Sequence, residues 1–403
     1  MKILFITDNF PPEVNAPATR TYEHCVEWVK MGADVTVVTG APNFPQGKVY
    51  PGYKNKIRQV EEMEGIRVIR VWTYMTRNEG FFRRTIDYLS FMIASFIAGI
   101  GVKTDIIIAT SPQFFTAVSG SALSFVKRKP WIMEVRDLWP DSIIGVEAVK
   151  SRSLLGFFFW LEKKLYRSAN LIIPVTETFK KEIEKKGIDQ SKIEVIKNGS
   201  NLELFKPCLP DMALKEKLGL NDYFIVSYIG THGMAHGLDF IIHCASELQQ
   251  YDIFFLFIGD GAKKTELVQL AEEQKVRNII FLDPIPKNQI PSYLSITDVS
   301  LIPLRKAKIF TTVIPSKIFE SAAMQKPILL GVEGESRDLI IQYGAGLAFE
   351  PENKLDFIEQ LLKLKSDKKL YSNCQRGGSQ LSIDYDRKRL AEQFYAFINE
   401  INS

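Results

Sequence analysis

The sequence predicts an α/β chain of two doubly wound parallel-sheet domains. Short apolar runs alternate with helical stretches along the whole length, which gives parallel strands joined by right-handed crossovers. The rhythm is played twice, on either side of a turn-rich segment at Asn198-Gly199-Ser200 with Pro207 and Pro210 just beyond. A length of 403 residues also exceeds what one ordinary hydrophobic core accommodates. We place the domains at 1–205 and 206–384, with a last helix over 385–403 returning to the first.

In the first half, Ile3 to Thr7 is a continuous apolar run, as a strand buried on both faces requires. The turn Phe10-Pro11-Pro12 follows. Pro17 suits the first turn of a helix that reaches Met31 and stops at Gly32. Asp34 to Thr39 is the next strand. Ile57 to Val60 and Ile66 to Val71 flank Glu64-Gly65 as a hairpin. Asp105 to Ala109, Trp131 to Val135, Leu171 to Val175 and Ile193 to Ile196 are further strands. The second half offers strands at Phe224 to Ile229, Ile253 to Ile258, Asn278 to Leu282, Val299 to Ile302 and Ile328 to Leu330. Helices fall at His236 to Gln249, Lys263 to Lys275, Ser316 to Ala323 and Leu355 to Leu364. In the last helix, Leu390, Phe394, Phe397, Ile398 and Ile401 form an apolar stripe that must be buried.

Composition narrows the function class. With 51 Lys and Arg against 47 Asp and Glu, the net charge of +4 is too mild to argue for nucleic acid. Cys25, Cys208, Cys244 and Cys374 are far apart and form no Cys-x-x-Cys pair, so we read four buried thiols rather than a disulfide framework or zinc ribbon. The opening apolar run ends at Asp8, too early for a signal peptide. No Gly-x-Gly-x-x-Gly follows the first strand, which argues against a dinucleotide oxidoreductase.

In a parallel sheet, ligands bind beyond the carboxyl ends of the strands, and a cleft between two such domains is the default site. After Phe224 to Ile229 comes Gly230-Thr231-His232-Gly233, then His236-Gly237. Glycines let a backbone approach a ligand, and helix N-termini attract phosphate. A tight turn reads the same way. A metal gripped by His232 and His236 lacks a third ligand nearby. Gly259-Asp260-Gly261 lines the same edge after the next strand, and Ile285 follows the one after that. Arg305, Lys306 and Lys308 can screen a diphosphate or be a solvated basic loop. Near Thr312, Pro315 suits a first helical turn and Ser316 a cap. Lys317 then stands where the helix dipole disfavours a cation, a local conflict that a diphosphate relieves. Glu320, one turn on, can accept both hydroxyls of a ribose or simply pair with Lys317.

In the first domain, Asn15 lies in the loop after the first strand. Arg136, Asp137 and Asp141 close the strand begun at Trp131 and are expected to face the cleft. A carboxylate there can take a proton from an acceptor hydroxyl, whereas an Arg136–Asp137 pair would be structural. Phe81-Phe82-Arg83-Arg84 leads into an apolar helix, and Leu154 to Trp160 precedes Lys163, Lys164 and Arg167. Aromatics beside basic residues suit a lipid headgroup surface, and the first stretch is short of a comfortable span.

These pieces resemble glycosyltransferase family 4 over essentially the whole chain. They are Phe10-Pro11-Pro12-Glu13, Val35 to Thr39, Val195-Ile196-Lys197-Asn198-Gly199, Gly259-Asp260-Gly261 and Pro315-Ser316-Lys317 through Pro327. Within the family, Val135 to Pro140 and Gly230 to Asp239 resemble bacterial WbuB-type enzymes of O-antigen or capsule synthesis. The resemblance implies a GT-B fold of two Rossmann-like domains and a retaining transferase. It implies a UDP-sugar as donor, no metal or other cofactor, and a lipid-linked polyprenyl diphosphate acceptor. It also implies a cytoplasmic enzyme peripheral to the inner face of the membrane. Glu320 corresponds to the family's second signature glutamate, on the ribose. The first is absent, since Thr312 stands in its place. Many members carry an Arg and a Lys where this chain has His232 and His236, so Lys317 and Arg305 become the candidate phosphate cations. Asp137 falls near the place of a histidine beside the donor sugar, as acceptor base or as a positioning group. A nucleotide-sugar epimerase or a non-catalytic binding protein are the alternative readings.

Overall fold

A computed structural model describes residues 1–44, 46–76, 81–111, 113–141 and 151–402; the side chains of Phe81 and Phe82 lie outside the described set. The chain divides into two compact units, Met1–Lys197 with Arg387–Ser403, and Asn198–Asp386. The division falls at the turn cluster itself, eight residues ahead of 205.

Along the first unit run β1 (Lys2–Ile6), α1 (Ala16–Lys30), β2 (Asp34–Gly40), β3 (Arg58–Met63), β4 (Ile66–Val71), α2 (Phe81–Ile100), β5 (Ile106–Thr110), α3 (Phe114–Lys127), β6 (Trp131–Val135), α4 (Arg152–Ser168), β7 (Leu171–Pro174) and α5 (Glu177–Lys185). The second contains α6 (Met212–Lys217), β8 (Phe224–Ile229), α7 (Leu238–Glu247), β9 (Ile253–Ile258), α8 (Lys264–Glu273), β10 (Ile279–Leu282), α9 (Ile290–Ser295), β11 (Val299–Pro303), α10 (Lys317–Ala323), β12 (Ile328–Gly331), α11 (Glu335–Tyr343), β13 (Gly346–Ala348), α12 (Lys354–Ser366) and α13 (Lys368–Asp384). The chain then re-enters the first unit as α14 (Arg387–Asn402).

The first sheet has the order β3-β4-β2-β1-β5-β6-β7 and the second β10-β9-β8-β11-β12-β13. Among the described residues every pairing is parallel except β3 with β4, the hairpin turned by Glu64 and Gly65. Central strands are buried on both faces, which is why β1, β5 and β9 read as unbroken apolar runs. Edge strand β3 alternates instead.

Three expectations need correction. Ile193 to Ile196 is no strand. Ile193 makes one isolated bridge to Ile172, and the Ile196 carbonyl is drawn off by Arg20. β13, only three residues long, escaped notice because so short a run carries no period. Cys208 is exposed, unlike the other three cysteines, because it lies between two prolines in the irregular segment leaving the boundary.

α14 docks on α1 through its stripe. Leu390, Phe394 and Ile398 are buried, Phe394 meets Trp28 edge-on at 5.2 Å, and Trp28 Nε1 donates to the Ala391 carbonyl at 2.9 Å. Beneath this seam lies a buried ion pair. Arg20 Nε donates to Glu134 Oε1 at 2.8 Å with both side chains almost wholly enclosed, and its other nitrogens cap the carbonyls of Ile196 and Lys197. One guanidinium thus ties α1, β6 and the end of the unit. Burial pushes the Glu134 carboxyl up, but Arg20 and Arg136 outweigh it and hold it below the usual carboxylate range. Arg20→Met strands the Glu134 charge without its partner. We expect a loss of about 3–5 kcal/mol in urea-denaturation stability, against about 1 kcal/mol or less for an exposed pair such as Lys185–Glu182.

Candidate functional site

The second unit gathers its candidates at the carboxyl ends of β8 and β9. Gly230 N–H donates to the Ile258 carbonyl at 2.8 Å. His232 N–H donates to Asp260 O at 2.8 Å, and Lys263 N–H returns to His232 O at 2.9 Å. The two loops are laced so closely that side chains are excluded. At Gly259 (φ 145°) a Cβ would drive into the Gly230 carbonyl oxygen. At Gly230 (φ 152°) it would strike Lys317 Cε and lie 2.6 Å from Nζ. The missing Cβ is therefore where the Lys317 side chain passes.

Lys317 opens α10 with its ammonium 5.4 Å from the centroid of the Tyr228 ring, and Tyr228 Oη donates to the Thr231 carbonyl at 2.6 Å. Burial holds its pKa below the ordinary lysine range, with Glu320 opposing the shift. Ser316 precedes the helix but its side chain makes no capping bond, contrary to expectation, because its backbone is already helical.

His232 is 0 % exposed, with the Tyr228, Phe257 and Phe281 rings at 5.9, 6.3 and 6.2 Å. Neither ring nitrogen has a hydrogen-bond partner among the described residues. His236 is half-buried against Tyr228 at 5.8 Å. Both imidazoles are pushed down to about 4. The cause is burial first, then Lys264 and Lys317 at His232, and Lys317 and His232 at His236. Around neutral pH this is a lysine flanked by two neutral imidazoles.

Arg305 is paired with protein carboxylates. Nη2 bonds both oxygens of Asp239 at 2.8 Å, Nη1 reaches Glu352 at 3.0 Å and Nε donates to the Met234 carbonyl at 2.9 Å. The Asp239 hydrogen bond raises its pKa further. Lys306 likewise meets Glu350 at 2.6 Å, while Lys308 is exposed. Arg305 and Gly233 line a cavity of about 270 Å³ beside α7 and α8. Thr312 Oγ1 donates to the Ile309 carbonyl at 3.0 Å within a short helical turn. Asp260 Oδ1 accepts from Gly261 N–H at 2.8 Å, Thr231 is exposed, and Ile285 packs against the apolar cluster of Leu256 and Ile258.

In the first unit, Ser111 Oγ accepts from the N–H groups of Arg136 and Asp137 at 2.7 and 3.3 Å, fixing the turn after β6. The three side chains near this turn have different surroundings. Arg136 Nη1 donates to the Pro17 carbonyl at 3.0 Å. Asp141 is paired with Lys186 at 2.7 Å, which also holds buried Glu162. Asp137 keeps a half-buried position on the loop. Asn15 Oδ1 caps α1 by accepting from Ala18 N–H at 2.9 Å and its Nδ2 bonds Asn9, so the carboxamide is engaged within the protein.

Sequence reasoning missed four residues. Tyr228 shares the Lys317 cation, Lys264 adds positive potential at His232, and Asp8 and Asp87 lie near the carboxyl end of β1. Burial, then Asp87 and Glu13, raise the Asp8 carboxyl; burial raises Asp87 to about 7, with Arg84 opposing. Asp8 lies two residues beyond the end of β1, close to the position that flagged the other candidates, but the sequence reads it only as the end of an apolar run.

On the surface of the first unit, α2 exposes Ile86, Ile93, Ile97 and Ile100 while Ser95 bonds Ser119 on α3. α4 exposes Leu154, Phe157 and Trp160, with Lys164 Nζ 5.1 Å from the Trp160 ring. Among the described residues no helix is long and apolar enough to cross a membrane, and no group of three or more His, Cys, Asp or Glu is placed to hold a metal ion.

Comparison with known proteins covers both units. Residues 15–199 match the model described as a glycosyl transferase 4-like domain, and residues 211–380 the one described as glycosyl transferases group 1. The chain is 25% identical over 328 residues to WcaI of Escherichia coli (strain K12), named for colanic acid biosynthesis glycosyl transfer, across 79% of this chain and 80% of that one. Sucrose-phosphate synthase from Thermosynechococcus elongatus superposes with a TM-score of 0.79 at 15% identity, covering 99% of this chain and 98% of that one. HepE of Anabaena, in complex with UDP-glucose, gives 0.73 at 16% identity, covering 99% and 100%.

Gly259→Ala should lower the thermal midpoint markedly, a loss of about 2 kcal/mol or more, since backbone must move to admit the methyl group. Gly233→Ala, whose Cβ meets His236 Nδ1 at 3.5 Å, should stay within about 0.5 kcal/mol. Calorimetric melting of the two variants checks the contrast.

Proposed function

The chain belongs to glycosyltransferase family 4, with the GT-B fold, and on that premise we propose that it moves a sugar from a UDP-sugar to a lipid-linked glycan. The setting is bacterial polysaccharide synthesis, the reaction retains anomeric configuration, and no metal takes part. One observation carries the donor site. Lys317 lies over a backbone that has no side chain at residue 230, beside loops whose amides and imidazoles crowd the ends of β8 and β9. Such a site screens the charge that grows on a diphosphate as its bond to the sugar breaks. HepE, with the same fold, holds UDP-glucose, and WcaI is named for colanic acid biosynthesis; both support the reading.

Glu320 follows Lys317 by three positions on α10, one turn along, and is the group for the ribose hydroxyls. With Arg305 committed to Asp239 and Glu352, Lys317 carries most of the charge that meets the diphosphate. Asp137 is the group for the acceptor or the donor sugar. The exposed apolar rows of α2 and α4, next to Lys163, Lys164 and Arg167, form the surface that meets the cytoplasmic face of the membrane, where a polyprenyl diphosphate acceptor is anchored.

Lys317→Ala should cut turnover by about 10²–10³-fold while the melting curve stays cooperative. Glu320→Gln should weaken UDP about tenfold by calorimetry. UDP release that needs a lipid-linked acceptor supports transfer. UDP release without one points to an epimerase-like or hydrolytic enzyme, and UDP binding without any turnover to a binding protein. Phe157→Ser with Trp160→Ser should reduce sedimentation with vesicles containing anionic lipid; unchanged sedimentation would remove α4 from the membrane surface.

A further inference from the structure

The donor reading leaves one arrangement unused. His232 is wholly enclosed and presents two ring nitrogens with no hydrogen-bond partner among the described residues, in a fold where buried polar groups are normally satisfied. The enclosure is aromatic on three sides, from Tyr228, Phe257 and Phe281. On the remaining side lies Gly259, where a Cβ would stand 3.4 Å from His232 Nε2 and drive into the Gly230 carbonyl, so that nitrogen faces closely laced loop backbone at the end of the strand. His236 shares Tyr228 with His232 and stands 3.5 Å through Nδ1 from where a Cβ on Gly233 would be.

Resting on the donor reading above, we propose that His232 and His236 complete the diphosphate site as a titrating pair, so that the nucleotide diphosphate binds together with a proton. A diphosphate brought against the glycine edge adds negative charge beside the enclosed rings, which favours the imidazolium. The proton comes from solvent and ends on a ring nitrogen, with no bond broken in the nucleotide.

The charges facing the pair come from every packed element. Lys317 on α10 and Lys264 on α8 oppose protonation, and Asp260 after β9 favours it at His232. Tyr228 on β8 contributes a ring and a hydroxyl already bonded to Thr231. Lys263 meets His232 through its backbone N–H alone, and Arg305, beside Gly237, is neutralised by Asp239 and Glu352. In the free protein the rings are neutral above about pH 4. Bound diphosphate raises the ring pKa, so affinity is highest at low pH. It falls as pH climbs from about 4 through the pKa in the complex, by up to about tenfold per pH unit for one proton.

The test is calorimetry of UDP binding to the full chain between pH 6 and 9, at each pH in two buffers of different ionisation enthalpy. UDP also titrates in this range, so wild type is compared with His232→Gln/His236→Gln, and with His236→Gln alone should the buried substitution fail to fold. The expected result is proton uptake in the wild type exceeding that of the variant, with wild-type affinity falling more steeply as pH rises. Equal uptake and parallel pH profiles would overturn the titrating pair while leaving the donor site intact. Absence of UDP binding to the wild type would overturn the donor site and this proposal together.

Discussion

Two laced loops without side chains at 230 and 259 form the constraint on which the carboxyl edge of the second sheet depends.

 Because no Cβ intervenes at Gly230, the Lys317 side chain lies directly on the loop backbone, its ammonium over the Tyr228 ring. Burial depresses the lysine's own proton affinity, and burial first, with Lys317 adding to it, keeps both neighbouring histidines neutral. The glycines are thus electrostatic residues as much as conformational ones: they set how close a cation stands to two titratable rings.

The rest of each unit supports such an edge. Strands buried on both faces cannot shift sideways without exposing apolar surface, so the positions where β8 and β9 end are held by the core beneath them. In the first unit the same duty falls to Arg20, whose one guanidinium satisfies Glu134 and two carbonyls at the end of the unit. The turn after β6, with Asp137 on it, is pinned by a single serine hydroxyl that takes two backbone N–H groups. Rigid strands with polar turns at their ends let the ligand-facing residues vary without disturbing the packing.

The basic loop after β11 has a chemical lesson. Three cations after a strand suggest phosphate, and here Arg305 Nη2 bonds both oxygens of Asp239 while Lys306 meets Glu350. The carboxylates that neutralise them lie 44 to 66 positions away, so no local window reveals them. Asn15 shows the opposite case. Its partner Ala18 is only three residues on, and a cap is the ordinary use of an Asn before a helix.

Alternation of apolar runs and helices was enough to establish two parallel sheets, because that pattern follows from burial on both faces and from crossover connections, both local in sequence. Glycines after strands, Lys317 at a helix start and the aromatic-basic rows of α2 and α4 were legible for the same reason: each is a departure from a local rule. What three dimensions added was pairing at a distance. That Lys317 crosses Gly230, that His232 is sealed among three rings with its nitrogens unmet, and that Arg305 and Asp141 are already committed all depend on contacts between elements far apart along the chain. Charge and proton affinity are set by such neighbours, which the order of residues does not list.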